Sequence, residues 1–329
     1  MSTIFFTLPH NNPAGGVKVV NEYVQLLNKN GLNSILCLPE ENLEQATFLS
    51  NPAPVISLSE LVLVSTKDDI IIMCWQSSKE YTAFKSAKAK LKIFWQHGIL
   101  SPVSDGMIGD IVLKEKVFDQ YWNVSHACAN FISEHYSINK FKVLSPFYSE
   151  SNPPSSESKK SGFLIVERRG SSQIQRIKEK IISLGETVTV ISGKYPSDHF
   201  NNLLKSHKFF ISIDNGIKHN FKERIRNKLK PKWQYYKKNL LGFPVPPLEA
   251  ISHETVVIGY AMGGGLEYMT PSSIFLAEDD NLESLLDKIQ EAIQTSDSEL
   301  DKMKQSATQA ISNFNEAESL KQIITNLEI

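Results

Sequence analysis

Three neighbouring stretches of the chain decide its fold assignment: GFPVPPLEAI at 242–251, VVIGY at 256–260 and GGGLEY at 263–268. The first predicts a proline-rich loop that leads into a helix, with Glu249 in the first turn of that helix. The second predicts a buried strand, and the third predicts a glycine loop whose backbone N–H groups can cradle an anion. An acid beside such a loop is typical of a residue that accepts hydrogen bonds from ribose hydroxyls.

Short apolar runs alternate with helical patterns along the rest of the chain. The predicted strands are 4–8, 34–38, 69–75, 92–96, 142–144, 162–167, 187–192, 208–213, 255–259 and 273–276. Most are near-continuous Val, Ile and Phe runs, which are typical of strands buried on both faces of a parallel sheet. In 17–30 the apolar residues share one helical face, and Gly31 is placed as the C-cap. The pattern predicts an α/β protein with two doubly wound, Rossmann-like domains.

One break in composition indicates where these domains meet. Residues 149–161 are polar, carry two prolines and are followed at once by a strand-like run. We therefore predict an N-terminal domain over 1–148, a linker over 149–161, a second domain over 162–305 and a C-terminal helix over 306–329. From 281 onward the chain predicts helices only, at 282–294, 298–312 and 316–327. Two such domains should face a central cleft, with ligand at the carboxyl ends of the strands.

Composition narrows the class of protein further. The chain has 329 residues, with Lys+Arg 35 against Asp+Glu 36, so its formal charge is −1. That balance argues against whole-surface attraction to nucleic acid. The three cysteines are odd in number and widely spaced, which predicts reduced, buried thiols of a cytoplasmic protein. No basic region precedes the first apolar run, so the N-terminus predicts a strand and not a signal peptide.

Three further positions could bind a ligand, each with a structural alternative. Gly15 and Gly16 follow the first strand and open a helix, where backbone can approach an anion; a tight turn explains them equally well. His97 ends a predicted strand, where cleft residues lie; an ordinary buried histidine is the alternative. Arg168 and Arg169 end the first strand of the second domain and suit a phosphate clamp; the alternative is a solvated basic turn.

The segment 242–268 resembles the nucleotide-sugar site of GT-B glycosyltransferases of the family-4 type. Their pattern runs E-G-F-G-x-P-x-L-E-A, then P-V-V, then G-G-x-x-E. The matching positions here are Gly242, Phe243, Pro246, Leu248, Glu249, Ala250, Val256, Val257, Gly263, Gly264 and Glu267. The resemblance implies a GT-B fold with an N-terminal acceptor domain and a C-terminal nucleotide-sugar domain. It also implies a retaining transfer of sugar from a nucleotide-diphosphate sugar to a glycan or glycolipid hydroxyl, in surface polysaccharide synthesis.

The same resemblance implies roles for individual residues. Glu249 would bind the ribose, while His97 would lie near the transferred sugar and Arg168 would bind the diphosphate, so that His97 and Arg168 are the catalytic candidates. The remaining donor-binding candidates are Gly15, Gly16, Arg169, Gly263, Gly264, Gly265 and Glu267. The chain has no D-x-D triplet of the kind that GT-A enzymes use to hold a metal. We therefore predict a metal-independent enzyme without a cofactor, whose donor is its nucleotide-sugar substrate.

One departure from the family pattern favours a different class of protein. Leu241 stands where the family has the first Glu of its E-x7-E pair, and leucine cannot hold a sugar hydroxyl or phosphate as a carboxylate does. The alternative is a catalytically impaired, GT-B-like protein that binds nucleotide sugars or acts as a scaffold. A second alternative is another nucleotide-sugar enzyme on this fold, such as an epimerase.

A basic insertion at 214–240 separates the predicted strand at 208–213 from the proline-rich loop. Residues 218–238 carry nine basic side chains against Glu223 alone, with an apolar stripe and nearby aromatic residues. This pattern fits a helix on an anionic membrane surface, which would suit a lipid-linked glycan acceptor and a peripheral location on the inner face of the membrane. A solvated helix that caps the donor cleft fits equally well. Nucleic acid is not an expected partner.

Overall fold

The structure is a computed structural model of the 329-residue chain. The residues that it describes are 2–11, 14–43, 52–75, 77–97, 117–136, 141–148, 160–167, 173–193, 195–213, 242–261, 263–279 and 281–329. The chain divides into two compact units. The first unit comprises Met1–Phe147 with Glu316–Ile329, and the second comprises Tyr148–Asn315.

The first unit is built on a seven-stranded parallel sheet in the order β3-β2-β1-β4-β5-β6-β7. Its strands are β1 Ile4–Thr7, β2 Ser34–Leu38, β3 Val55–Ser57, β4 Ile70–Met73, β5 Leu91–Gln96, β6 Gln120–Asn123 and β7 Phe141–Val143. Its first helices are α1 Gly15–Lys29, α2 Leu58–Val64, α3 Ser78–Ser86 and α4 His126–Tyr136. The strand order reverses between β1 and β4, which makes their carboxyl ends the topological switch point of this sheet.

Helix α1 covers the sheet through the apolar stripe that the sequence predicts. Val20, Tyr23 and Leu27 are fully buried. The Tyr23 hydroxyl donates a hydrogen bond to the carbonyl of Ser145 at 2.6 Å, so its one polar atom is satisfied inside the core. Gly31 follows the helix with φ +79°, a left-handed conformation that glycine adopts without strain and that confirms its C-capping position.

The second unit is built on a five-stranded parallel sheet in the order β12-β11-β10-β8-β9. Its strands are β8 Phe163–Glu167, β9 Val188–Ser192, β10 Phe209–Ser212, β11 Val256–Gly259 and β12 Phe275–Leu276. Its helices are α5 Gln173–Ser183, α6 Ser197–Ser206, α7 Val245–Ser252, α8 Leu282–Gln294 and α9 Asp297–Ala310. The strand order reverses between β8 and β10, so the loops after these strands define the switch point of the second sheet.

The last helix, α10 Glu316–Leu327, belongs to the first unit. Ile323 is fully buried there. The Lys142 ammonium donates to the carbonyl of Asn326 at 2.7 Å, and the Asn326 amide donates to the carbonyl of Val143 at 3.1 Å. The helix is therefore attached to β7 by both apolar burial and hydrogen bonds.

The predicted α/β class and the two parallel sheets are confirmed. The strand 34–38 and the helices 282–294 and 316–327 have the predicted bounds. Two strands were not predicted: β3 has only three residues, and the polar ends of β6 hide its apolar centre. All three cysteines are free and buried, as predicted. In the part of the chain that the structure describes, no helix combines the length and apolarity needed to cross a membrane.

Candidate functional sites at the carboxyl ends of the two sheets

The loops after β1, β4 and β5 and the start of α1 bring four residues of the first unit together: His10, Trp75, His97 and Gly16. A Cβ atom on Gly16 would lie 3.1 Å from Cζ3 of Trp75 and 3.5 Å from Nδ1 of His97, so only glycine fits comfortably here. The ring centroids of His10 and Trp75 are 6.0 Å apart. The structure thus brings together the predicted residues Gly16 and His97 at the switch point of the first sheet.

The environment of His97 keeps its imidazole uncharged. Burial lowers the pKa of His97 from 6.5 to about 3, and its ring lies 4.2 Å, centroid to centroid, from that of Trp95. Its Nε2 atom is buried and has no hydrogen-bond partner among the described residues. A neutral imidazole with an unused nitrogen suits a hydrogen bond to a ligand hydroxyl better than an ion pair with a phosphate.

The N-terminus of α1 begins with two glycines and has no side-chain cap. Gly15 and Gly16 are its first two residues, and Ala14 before them provides no side-chain cap for their N–H groups. Uncapped N–H groups and the helix dipole give this end a partial positive charge without a basic side chain. The structure therefore places the two predicted glycines where a phosphate could be bound.

A buried acid that the sequence did not indicate lies at the same edge of the first sheet. The Glu80 carboxyl accepts hydrogen bonds from the hydroxyls of Thr7 at 3.1 Å and Ser77 at 2.8 Å. Ser77 and Glu80 form a capping box at the start of α3. Burial raises the pKa of Glu80 from 4.5 to about 7, although the hydrogen bonds from Ser77 and Thr7 oppose this rise. The capping-box pattern S-x-x-E at 77–80 could have revealed its structural role from sequence.

In the second unit, Glu249 lies on α7, which the sequence predicted from its proline-rich start. The helix begins at Val245, and Pro246 and Pro247 occupy its first turn, where a missing N–H costs little. The prediction that Glu249 lies in the first turn is wrong, because the prolines are part of the helix and place Glu249 at its fifth residue. Glu249 is 9% exposed, which makes it one of the few buried acids of this unit.

The glycine loop lies directly beside the start of α7. Gly263–Glu267 forms a turn of 3-10 helix after β11. The N–H of Gly264 donates to the carbonyl of Gly242 at 2.9 Å, and the Tyr268 hydroxyl donates to the carbonyl of Pro244. A Cβ on Gly265 would lie 3.0 Å from Cγ of Pro244, so this glycine permits the close approach.

Tyr268 links the two predicted acids of this site. Burial raises the pKa of Tyr268 well above 10, and the charges of Glu249 and Glu267 both add to the rise. Both carboxylates are therefore near enough to this phenol to influence its charge. The structure thus brings the loop that holds the predicted residues Gly263, Gly264, Gly265 and Glu267 against the start of α7, the helix that carries Glu249.

Several predicted site residues cannot be placed. Arg168, Arg169 and Leu241 lie outside the described residues, as does the insertion 214–240. Arg168 directly follows β8, which ends at Glu167 at the switch point of the second sheet. Among the residues that are described, no three His, Cys, Asp or Glu side chains lie together as a metal ion would require.

Trp75 was not predicted as a site residue because the third predicted strand, 69–75, extends through it. The structure ends β4 at Met73 and leaves Trp75 half-buried in the loop that follows. His97 was identified by its position at the end of a buried strand, and the same position would have identified Trp75 had the predicted strand ended at Met73.

Two parallel α/β units with these strand orders have the fold of GT-B glycosyltransferases. Similar solved structures include a variant of S. aureus TarM in complex with Fondaparinux, alpha-GlcNAc-glycerol and UDP (8% identity, 99% of each chain covered, TM-score 0.73). Anabaena Alr3699/HepE, solved with UDP and glucose, is 13% identical over 100% of both chains, with a TM-score of 0.70. An alpha-glucosyltransferase bound to UDP and DNA is 12% identical over 100% of both chains, with a TM-score of 0.69. No known protein family and no curated protein sequence matches the chain.

Proposed function

We propose that this chain is a glycosyltransferase that moves a sugar from a nucleotide-diphosphate sugar to a hydroxyl of a glycan or glycolipid. One observation carries the proposal: in a GT-B fold, the buried Glu249 lies on a helix whose start is hydrogen-bonded to the glycine loop Gly263–Glu267. The similar structures described above were solved with UDP, which supports a nucleotide-sugar donor.

Each candidate residue has a role that follows from its chemistry. Glu249 would accept hydrogen bonds from the two ribose hydroxyls, and the glycine loop would let the diphosphate approach the backbone closely. Arg168 and Arg169 would provide permanent positive charge for the diphosphate as it leaves. No metal ion is needed if these permanently charged donors stabilise the developing charge. His97 would form a hydrogen bond with the transferred sugar.

Nucleotide binding tests the donor assignment. UDP or GDP should raise the melting temperature of the full chain, because a ligand that binds only the folded state stabilises it. Glu249→Ala removes charge-assisted hydrogen bonds of about 1.5–3 kcal/mol and should weaken nucleotide affinity about 10- to 150-fold in calorimetry. Glu291→Ala, at an exposed residue of α8, is the matched control and should bind like the wild type. Equal affinity of the Glu249 and Glu291 variants would reject the ribose assignment.

The substitution at Leu241 favours a second candidate function, a nucleotide-sugar-binding or scaffold protein without catalysis. Purified chain that binds UDP or GDP yet releases no sugar from any nucleotide sugar, with or without acceptors, would support this candidate. Nucleotide release that depends on an added acceptor would support the transferase. Product analysis without acceptor separates both from an epimerase, which would convert the donor sugar itself.

Two finer features of the proposed reaction can be tested independently. The family resemblance implies that the product keeps the anomeric configuration of the donor, which the anomeric proton coupling in an NMR spectrum of the product reports. Metal independence predicts that transfer continues at the same rate in excess EDTA, because the charge on the leaving diphosphate is offset by protein groups. Loss of activity in EDTA that Mg²⁺ or Mn²⁺ restores would contradict metal independence.

The composition of the basic segment 218–238 supports the proposal that the enzyme is cytoplasmic and associates with the inner face of a membrane. Such a location would suit the lipid-linked acceptors of surface polysaccharide synthesis. Nine basic side chains against one acid should draw this segment to anionic lipids. Deletion of 218–238 should abolish co-sedimentation with phosphatidylserine-containing liposomes, while neutral phosphatidylcholine liposomes provide the control. Equal co-sedimentation of the full and deleted chains would reject the membrane role.

A further inference from the structure

Trp75 stands apart from the other described tryptophans of the first unit. Trp95 and Trp122 are fully buried, and their indole N–H groups donate to Leu144 and Gln120, respectively. Trp75 is half-buried and lies beyond the end of β4. An aromatic ring that is left partly open at a topological switch point is placed to contact a ligand.

The groups around Trp75 offer hydrogen bonds without charge. The His10 ring is tilted by 56° against Trp75, and a Cβ on Gly16 would meet both the Trp75 ring and the His97 imidazole, so these two rings line the same space beside Gly16. Burial lowers the pKa of His10 from its usual 6.5 and lowers that of His97 to about 3, so it favours the neutral form of both rings. His97 Nε2 also lacks a partner among the described residues. Neutral rings with an unused nitrogen match a ligand that carries hydroxyls.

We propose that Trp75, together with His10 and His97, forms a subsite for a neutral pyranose ring. The C–H face of the sugar packs on the indole, whose π-face carries partial negative charge, while the imidazoles form hydrogen bonds with its hydroxyls. Gly16 leaves the space that a side chain would fill. The role of this subsite in transfer rests on the proposed function, and the pyranose comes from either the acceptor or the donor sugar.

Two measurements on the full chain distinguish these sources. Saturation-transfer NMR with methyl glycosides of glucose, galactose, mannose and N-acetylglucosamine, in the presence of UDP or GDP, reports acceptor-type binding. The affinity of UDP-glucose, UDP-galactose, UDP-N-acetylglucosamine or GDP-mannose relative to that of the free nucleotide reports contact with the donor sugar. Trp75→Leu should reduce either the binding of the methyl glycosides or the relative affinity of the nucleotide sugars by about tenfold, which is about 1.4 kcal/mol. Trp75→Phe keeps an aromatic face and should retain most of the binding.

Free UDP or GDP provides the control for folding and for the donor site. Trp75→Leu should bind the free nucleotide as the wild type does, because Glu249 and the loop Gly263–Glu267 belong to the other unit and the substitution leaves the backbone N–H groups of Gly15 and Gly16 in place. The subsite is rejected if the wild type binds the nucleotide but Trp75→Leu changes neither sugar measurement. It is also rejected if Trp75→Phe loses as much sugar binding as Trp75→Leu. If the wild type binds neither UDP nor GDP, it is the proposed function that fails.

Discussion

Glu80 allows a quantitative test of how the first unit is stabilised. This acid lies in the first turn of α3, has no solvent exposure and accepts a hydrogen bond from Thr7 at the end of β1. Burial raises its pKa from 4.5 to about 7. The folded chain therefore binds this proton more tightly than the unfolded chain does, and the contribution to stability is complete below pH 4.5. The difference between 4.5 and about 7 corresponds to about 3 kcal/mol, at about 1.36 kcal/mol per pKa unit. This contribution should be lost as the pH rises through 7.

The substitution Glu80→Gln keeps the shape of the side chain and removes its titration. Wild type should therefore lose about 3 kcal/mol of unfolding free energy relative to the variant between pH 4.5 and 7.5. His97 acts in the opposite direction, since its pKa is lowered by burial and stability rises with pH up to about 6.5. Because both proteins contain His97, the comparison at each pH removes its effect.

Urea unfolding followed by tryptophan fluorescence measures this difference. Three of the four tryptophans, Trp75, Trp95 and Trp122, lie in the first unit, so the signal reports mainly the unit that contains Glu80. Glu60→Gln is the matched control, because Glu60 is exposed but has the same place in its helix as Glu80. The N–H of Glu60 donates to the Ser57 hydroxyl at the start of α2, and the N–H of Glu80 donates to the Ser77 hydroxyl at the start of α3. A difference between wild type and the Glu80 variant that stays constant with pH would refute the reasoning.

Three further substitutions test the fold. Gly259→Ala would place a Cβ 2.0 Å from the carbonyl oxygen of Ser212 on the neighbouring strand β10. Thermal unfolding should show a loss of about 3 kcal/mol or more in the free energy of unfolding. A loss below about 1 kcal/mol would contradict the register of β10 and β11. Gly31→Ala has no steric clash but must adopt φ +79°, so urea unfolding should show a cost of about 1 kcal/mol. Ile323→Ala should destabilise the first unit by about 2–5 kcal/mol in the tryptophan signal, because α10 is packed there; no change would mean that α10 is not part of this core.

The sequence predicted the fold best where burial alone determines the structure. The strand Ser34–Leu38 is mostly buried and is apolar after its first residue, and its bounds were predicted correctly, as were those of the amphipathic α8. Periodicity failed for β6, where Gln120 and Asn123 flank the buried Trp122 and only pairing with β5 and β7 creates the strand. The attachment of α10 to β7 depends on contacts between residues nearly two hundred positions apart, which no local pattern contains.

The candidate site was likewise predicted where the signal is local in sequence and missed where it depends on the whole fold. Glu249 and the glycine loop were found because a proline-rich start and clustered glycines are local signals, and the structure supplied the hydrogen bonds that join them. Trp75 was missed because its significance depends on where β4 ends and on its proximity to Gly16. The pKa values of Glu80 and His97 likewise follow from burial, which depends on the whole fold.

The neutrality of His97 constrains how the proposed transfer could proceed. A general acid or base is most effective when its pKa lies near the working pH, and a pKa of about 3 leaves His97 a poor proton donor and a weak base at neutral pH. Its unpartnered Nε2 is suited instead to hold a sugar hydroxyl. The driving force for sugar release would then come from charge stabilisation of the leaving diphosphate by Arg168, Arg169 and helix N-termini. We infer that His97 positions the sugar while permanently charged groups stabilise the leaving group, so that the rate of transfer need not follow the titration of His97.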